Sequence, residues 1–405
     1  MFVLCGQVFV LHVGQSMIVP ILPLYASTFG VGPALVGVLL AAQSVPRLFT
    51  NVPAGRLSDS LGAQRLLAFS CALAVVGGLG SAFAPIFIAL LIARVLQGVA
   101  SAISHTAGLT YAASLGGSGR RGRKISLYQG SFLLGNGVGP VLGGTIAQLY
   151  GYRVPFIIFA GIALVTGLWV LLQLPDPRGL EPASTDHKPD GTQVSVRMRD
   201  VLLQSGVLLA CLMTLLAAYT RSGSRDYALV VLSDERGMVE AQIGTALSLV
   251  FLANVAVLYV AGLMVDRYGP KAMMVPSWLI VAAGLSIFAV SDSYTGLLVA
   301  AALYGIGAGM GNAAPAVQIA NAVGPGQRGL ALGIFRTFSD LGQIVGPIVM
   351  GVMAATVGLI WGVWLNITIV LIAAVAYQLL GPPLLRRPAR TEASNSADVE
   401  RGADR

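Results

Sequence analysis

Long apolar blocks alternate with short polar breaks along nearly the whole chain. Twelve blocks predict twelve helices, near residues 2–26, 34–55, 66–84, 87–113, 125–149, 155–174, 204–230, 241–264, 273–291, 296–322, 331–357 and 362–381. A membrane helix needs about 20 mostly apolar residues to cross about 30 Å of hydrocarbon, so twelve would occupy about 240 residues. Gly and Pro inside a block do not end such a helix, because neighbours re-satisfy the freed backbone groups. One longer polar segment, 175–203, contains Pro175, Asp176, Pro177, Arg178, Glu181, Pro182, Asp186, Lys188, Pro189 and Asp190. It predicts a cytoplasmic linker between two six-helix halves, 1–174 and 204–383. The tail 384–405 is basic and then mixed in charge, which predicts disorder.

Composition points the same way. Of 405 residues, 56% are hydrophobic and 10% charged, whereas soluble domains carry about 25% charged residues. A soluble enzyme, a secreted scaffold and a disordered chain are thereby excluded. The net charge of +8 does not indicate nucleic acid, because most Lys and Arg lie between the apolar blocks. With the N-terminus inside, the inner loops and tail hold 18 Lys and Arg, against Arg153 and Arg236 outside. The positive-inside rule therefore predicts that both termini are cytoplasmic. No charge precedes Arg47, so the basic start of a cleavable signal peptide is missing. The chain is expected to open inside its first membrane helix. Cys5, Cys71 and Cys211 all fall inside apolar blocks and offer no disulfide framework.

The two halves are repeats at a constant shift of 207 residues. Gly55, Asp59 and Gly62 recur as Gly262, Asp266 and Gly269, and Gly98 recurs as Gly305. Arg121-Gly122 recurs as Arg328-Gly329, Gly135 as Gly342, Gly139-Pro140 as Gly346-Pro347, and Gly144 as Gly351. Single Gly matches mean little, but one offset that also carries Asp, Arg and Pro is hard to obtain by chance. Parallel six-helix repeats predict a secondary transporter with its solute site between the halves near the bilayer midplane.

Three motifs carry a resemblance to a known family. Gly55-Arg56-Leu57-Ser58-Asp59-Ser60-Leu61-Gly62-Ala63-Gln64-Arg65 joins blocks 2 and 3, and Gly262-Leu263-Met264-Val265-Asp266-Arg267-Tyr268-Gly269 repeats it between blocks 8 and 9. Block 4 contains Arg94-Val95-Leu96-Gln97-Gly98, and block 5 contains Gly135, Gly139-Pro140 and Gly143-Gly144. These segments resemble the signatures of the major facilitator superfamily, over about residues 10–381. The last of them, with Pro20-Ile21-Leu22-Pro23-Leu24-Tyr25, is similar to twelve-helix drug:proton antiporters. The resemblance implies an all-α membrane protein of twelve helices in two pseudo-symmetric six-helix bundles. It implies a cytoplasmic latch of Gly55, Asp59, Gly62, Arg65, Asp266 and Gly269, with Asp59 against the start of the eleventh helix near Leu330. It implies that Arg94 tunes a nearby carboxylate, unless it is simply pinned between helices. The glycines of block 5, with Pro140 as a kink, permit close helix packing. That seam would seal one side against leakage, or serve as generic close packing.

The chain departs from the exporter pattern in one respect. Blocks 1 to 6 hold no carboxylate away from the loops, so the usual proton site of the first half is missing. Five Arg lie within apolar blocks (Arg47, Arg94, Arg221, Arg225, Arg336) against Asp226 and Asp340. Such charges are expensive in hydrocarbon and are functional candidates. Arg94, Arg221 and Asp340 are expected deepest, with Arg225 and Asp226 at the outer mouth and with Arg47 and Arg336 near enough to an interface to reach it. Asp340 lies about 15 Å along its helix at 1.5 Å per residue. It has two readings: an ion pair with Arg336 one turn away, or a titratable proton site, with Arg47 on the neighbouring second helix as another partner. His12 and His105 change charge near neutral pH and could replace the missing carboxylate, or act as neutral hydrogen-bonding groups.

Gln15, Gln97 and Asn312, with Tyr219, Tyr304 and Arg221, are candidates to line a mixed, mainly apolar substrate cavity. No nucleotide loop, metal-ligand cluster or nucleophile–base pair is recognisable, so no enzyme, metal or cofactor is expected. The function expected is proton-coupled efflux of small amphipathic organic compounds by alternating access, by a monomer in a bacterial inner membrane. The alternative is proton-coupled uptake of a small organic anion. A transporter-like receptor is less favoured, because no segment is large enough for a soluble signalling region.

Overall fold

A computed structural model describes residues 1–114, 121–173, 202, 204–312, 314–323 and 327–381. The linker and tail expected at 175–203 and 384–405 lie outside the described residues, save for Leu202. Among the described residues, twelve helical stretches follow one another. They are α1 (Phe2–Met17, resuming as Leu22–Ser27), α2 (Pro33–Ala42 and Val45–Leu61), α3 (Ala63–Ala82), α4 (Phe87–Ser114), α5 (Arg121–Tyr150) and α6 (Arg153–Gln173). The second half has α7 (Ser205–Tyr219, Thr220–Ala228 and Leu229–Glu235), α8 (Glu240–Tyr268), α9 (Pro270–Val290), α10 (Tyr294–Gly311 and Ala314–Ala322), α11 (Arg328–Thr356) and α12 (Leu359–Leu380).

Ten of these contain a stretch long and apolar enough to cross a membrane. The other two are α1, which is interrupted at 18–21, and α5, whose basic start and many glycines dilute its hydropathy. The twelve expected blocks are therefore present, with breaks that periodicity does not reveal. The motif between blocks 2 and 3 is not an extended loop. Helix α2 runs on to Leu61, and Gly62 alone turns the chain at φ +89° before α3 begins. Gly269 does the same at φ +87° between α8 and α9. A side chain at either φ would be strained, which is why glycine stands there.

Neighbouring helices repeat between the halves. Helices α1 and α5, α3 and α6, α3 and α4, and α2 and α4 pack together, as do α7 and α11, α9 and α12, α9 and α10, and α8 and α10. Each second pair is the first advanced by six helices. Between the halves, α2 packs on α11 and α5 on α8, which are also related by that step. Lipid gives helices no hydrophobic reason to associate, so close backbone approach at small residues does the work. A Cβ at Gly144 of α5 would strike the carbonyl of Glu240, and one at Gly351 of α11 would strike that of Pro33. Gly37 of α2 faces the carbonyl of Pro347, and Gly244 of α8 that of Pro140. Both pairs of contacts obey the 207-residue shift, so the seam is two-fold symmetric down to individual carbonyls.

All four contacts lie toward the end of the bundle bearing the α1–α2, α5–α6, α7–α8 and α11–α12 connections. There Tyr152 Oη donates to Glu240 Oε1 (2.8 Å) and Tyr227 Oη to the Pro33 carbonyl (2.9 Å). One large apolar cluster bridges the halves at that end, through Ile21, Tyr25, Tyr227 and Ile243 among others. At the opposite end the apolar core splits. Leu4, Leu67, Ile103 and Tyr128 belong to one island, and Val207, Ile319 and Ile334 to another. The bundle is thus closed at one end and divided at the end bearing the N-terminus.

Large apolar side chains remain exposed on the outer helices, such as Phe69 and Val76 on α3, Leu168 and Leu172 on α6, and Trp361 and Ile372 on α12. A belt of that kind suits contact with acyl chains.

Helix α7 changes winding at Thr220–Ala228, a π-helical stretch. Asn366 of α12, fully buried, accommodates it: its amide donates to Ser224 Oγ (2.5 Å), and Thr220 Oγ1 donates to its carbonyl (3.0 Å). Replacing Asn366 by Ala orphans both hydroxyls. A buried unsatisfied polar group costs about 1–3 kcal/mol, so thermal unfolding in detergent is expected to move to a clearly lower temperature. An unchanged midpoint would mean that the π stretch holds itself.

Candidate functional site

A cavity of about 550 Å³ lies between the halves, lined from α1, α2, α4 and α5 on one side and from α7 to α11 on the other. All five arginines and both aspartates of the apolar blocks line it, leaving a formal excess of three positive charges.

Most of these charges are held by protein groups. Arg47 of α2 reaches across to α11: its Nε stands 3.6 Å from Asp340 Oδ1, and Nη2 donates to Gln343 Oε1 (2.8 Å) and to Ser44 Oγ (2.5 Å). The ion pair that spacing suggests between Asp340 and Arg336 is not formed. Arg336 instead crosses to α4, where its Nη2 lies 3.2 Å from His105 Nδ1. A guanidinium can only donate, so that imidazole nitrogen accepts and carries no proton. Nor does Arg47 reach toward an interface; its side chain is committed between the halves.

Arg94 is 6% exposed and is clamped by neutral groups. Nη1 donates to Gln97 Oε1 and Nη2 to Gln43 Oε1, each at 2.5 Å. Gln97 in turn donates to the Gly77 carbonyl (2.9 Å) and Ser81 Oγ (3.0 Å) of α3. Among the described residues no carboxylate pairs with Arg94. Gln97 is therefore spent on fastening α4 to α3 and does not line the cavity.

Arg225 and Asp226, expected at an outer mouth, line the cavity from within the π-helical stretch. Arg225 chelates Asp226, with Nε to Oδ1 at 2.6 Å and Nη2 to Oδ2 at 3.0 Å, and lies over the Phe251 ring, 4.7 Å from its centre. That leaves Arg221, half-buried in the same wall. It has no hydrogen-bond or ion-pair partner among the described residues, with Asp226, Tyr304 and Asp340 in electrostatic range.

Gln15, Arg221, Tyr304 and Asn312 line the cavity, and Gln15 donates weakly to Ser101 Oγ (3.5 Å). Tyr219 does not; it is buried in the apolar core with its hydroxyl unpaired. His12 also lines the cavity. Its Nδ1 donates to the Val8 carbonyl (2.8 Å), and its ring lies 4.4 Å from that of Phe132. His105, three turns from Arg94, shares the same Phe132 at 5.8 Å.

Helix α5 presents its glycines in two directions. Cβ atoms at Gly135, Gly139 and Gly143 would strike the α1 backbone at Phe9, Val13 and Met17, whereas Gly144 faces α8. The first three press α5 onto α1 within its own half, and the fourth forms the seam. Pro140 lies inside the helix, with its carbonyl against Gly244. The side chains of Asp59 and the surroundings of Gly55 lie outside the described residues, as does the contact expected near Leu330. Arg65 and Asp266 are exposed.

Sequence reasoning overlooks Trp278 and Thr214. Both line the cavity, with Trp278 Nε1 and Thr214 Oγ1 buried and unpartnered. A lone Trp in an apolar block carries a polar N–H that needs a partner. That is a signal, but it gives no helix rotation.

Comparison with known proteins agrees with this architecture. The sequence model of the Major Facilitator Superfamily matches residues 4–227 and 210–402. The chain is 28% identical over 391 residues to the class G tetracycline resistance protein of Vibrio anguillarum, covering 93% of this chain and 95% of that one. It is 24% identical over 361 residues to multidrug resistance protein 2 of Bacillus subtilis, covering 87% and 88%. The structure of a bacterial homolog of the human lysosomal transporter Spinster, in an inward-facing and occupied conformation, superposes with a TM-score of 0.76. That match has 16% identity and covers 94% of this chain and 95% of that one. The chain is a multi-pass membrane protein of the major facilitator superfamily, a family of transporters rather than enzymes.

Proposed function

We propose that this transporter exports small amphipathic organic compounds in exchange for protons, with Asp340 as the group that takes up the proton. The observation that carries this reading is the Arg47–Asp340 contact. It joins a carboxylate in the cavity wall to the opposite half, so protonation of Asp340 removes an electrostatic link between two bodies that must move apart. Proton uptake and rearrangement then become one event, and a charge state selects a conformation. The similarity to two drug-resistance proteins supports export, and their bacterial origin supports an inner-membrane location.

The loop charges supported both termini being cytoplasmic. On that orientation the divided end faces the cytoplasm, ready to load. The halves 1–174 and 204–383, joined by the linker 175–203, then rock against one another, and the Asp59, Gly62 and Arg65 turn and its Asp266, Gly269 copy act as latches in the closed cytoplasmic state. The working unit is a monomer whose partners are substrate, proton and lipid, without nucleic acid or cofactor.

The excess of three positive charges in the cavity favours a second reading, uptake of a small organic anion. Flux in proteoliposomes under an imposed pH gradient, across cationic, neutral and anionic amphiphiles, tests the first. Export predicts substrate movement opposite to the proton, abolished by a protonophore, and raised drug tolerance on overexpression. Movement with the proton, and accumulation of one saturable solute in cells, would replace export by uptake. Flux indifferent to the gradient would remove both.

A further inference from the structure

Four of the five cavity arginines have their charge or their donors engaged by protein groups, and one does not. Arg47 has Asp340 and Gln343, Arg94 has two glutamines, Arg225 has Asp226, and Arg336 has His105. Arg221 has no such partner among the described residues, although it is half-buried. Arg225, Asp226, Tyr304 and Asp340 act on it only beyond contact distance, and an anion brought into direct contact would add the charge-assisted hydrogen bonds that it lacks.

A second, independent observation lies elsewhere in the lining of the same cavity. Trp278 of α9 is 3% exposed and lines the cavity, and its indole Nε1–H has no acceptor among the described residues. Indole nitrogen can only donate. A buried donor without an acceptor and a guanidinium without a contact partner call for the same kind of group. Both can donate only to an electron-rich oxygen. The same lining includes Phe251, Val250 and Val281 beside polar Asn254, Ser277 and Tyr304, a mixed surface that suits an amphipathic body.

We infer that Arg221, with Trp278 as a neutral donor, forms the subsite for the anionic head of the substrate. The transported compounds would then be amphipathic organic monoanions, such as aromatic carboxylates. This rests on the central cavity being the transport site, and it holds for either direction of transport. The neighbouring Arg225–Asp226 pair gives the choice of one charge a reason. Asp226 already neutralises Arg225, so a second anionic group would meet the Asp226 carboxylate.

Calorimetric titration of the purified full-length protein in nanodiscs tests the assignment. The probes are naphthalene carboxylate, its neutral carboxamide, and naphthylmethylammonium. The wild type is expected to bind the carboxylate at least about tenfold more tightly than the amide, the scale of one charge-assisted hydrogen bond. Arg221→Gln should equalise carboxylate and amide, Arg221→Lys should restore part of the ratio, and Trp278→Phe should reduce it without abolishing it. A ratio unchanged in Arg221→Gln, or a wild-type preference for the ammonium probe, would overturn the subsite. If Arg221→Gln does not fold, the Arg221→Lys and Trp278→Phe titrations carry the same decision, because a wild-type ratio in both overturns it. The outcome separates from that of the transport proposal: proton-driven export of cations indifferent to Arg221 defeats the subsite alone, and selective carboxylate binding without pH-driven flux defeats the coupling alone.

Discussion

Replacing Asp340 by Asn leaves a folded protein whose transport no longer responds to a pH gradient. Asn keeps the shape of the side chain and removes its charge. Arg47 loses its ionic partner but keeps Gln343 at 2.8 Å and Ser44 at 2.5 Å, so it is not stranded. Removing one member of a fully buried pair costs about 3–5 kcal/mol. The retained hydrogen bonds and the position beside the cavity put the cost here nearer to about 1–2 kcal/mol. The protein should therefore purify normally with a modestly lower unfolding temperature. Flux with a gradient should fall to the level seen without one, while exchange of substrate at equal pH on both sides persists. Combining it with Arg47→Gln gives a cycle whose coupling is expected at about 0.5–3 kcal/mol, as for groups in direct contact. Coupling near zero, or gradient-driven flux in the Asn variant, would take the proton site elsewhere, to His105 or His12.

The second large effect is conformational. Gly351→Val places a branched side chain where a Cβ would already be 2.7 Å from the Pro33 carbonyl and 3.1 Å from Ala34 Cα. The contact exists only while α2 and α11 touch, so the strain falls on the state that is closed at that end. Overpacking costs about 1–3 kcal/mol, which moves a two-state equilibrium about 5–150-fold. Spin labels replacing the exposed Tyr150 and Val357 should report a longer, broader distance distribution in Gly351→Val than in the parent, and Gly144→Val should behave alike through Glu240. Gly161→Val, which meets nothing within 4 Å, is the control. Distances unchanged in both seam variants would mean that the seam yields without parting.

The sequence carried the architecture well and the site less evenly, for identifiable reasons. The 207-residue repeat predicted two equivalent halves, because the same glycines recur wherever backbones must touch. The 55–65 motif and its copy at 262–269 were legible as junctions between blocks, although each turn is a single glycine, Gly62 and Gly269. Charges were legible as residue types but not as partners. Asp340 has Arg336 one turn away in sequence, yet α11 presents them to different neighbours, one to α2 and the other to α4. Spacing along one helix cannot choose between partners on two others. Gln97 and Tyr219 look like cavity residues and are not, because which face of a helix meets the cavity is set by packing. Nothing in the sequence of Thr220–Ala228 announces the π winding that carries Arg225 and Asp226.

That winding has a counterpart. Under the 207-residue shift, Thr220–Ala228 corresponds to residues 13–21, and there α1 gives up its regular turns between Met17 and Leu22. Both leading helices of the two halves thus depart from regular winding at corresponding positions, beside the cavity. A continuous α-helix resists bending, whereas departures from regular winding are where helices kink. The segment beyond each joint can therefore pivot with the closing end while the segment before it stays with the rest of its half. A rigid-body description of the movement would omit these two elbows.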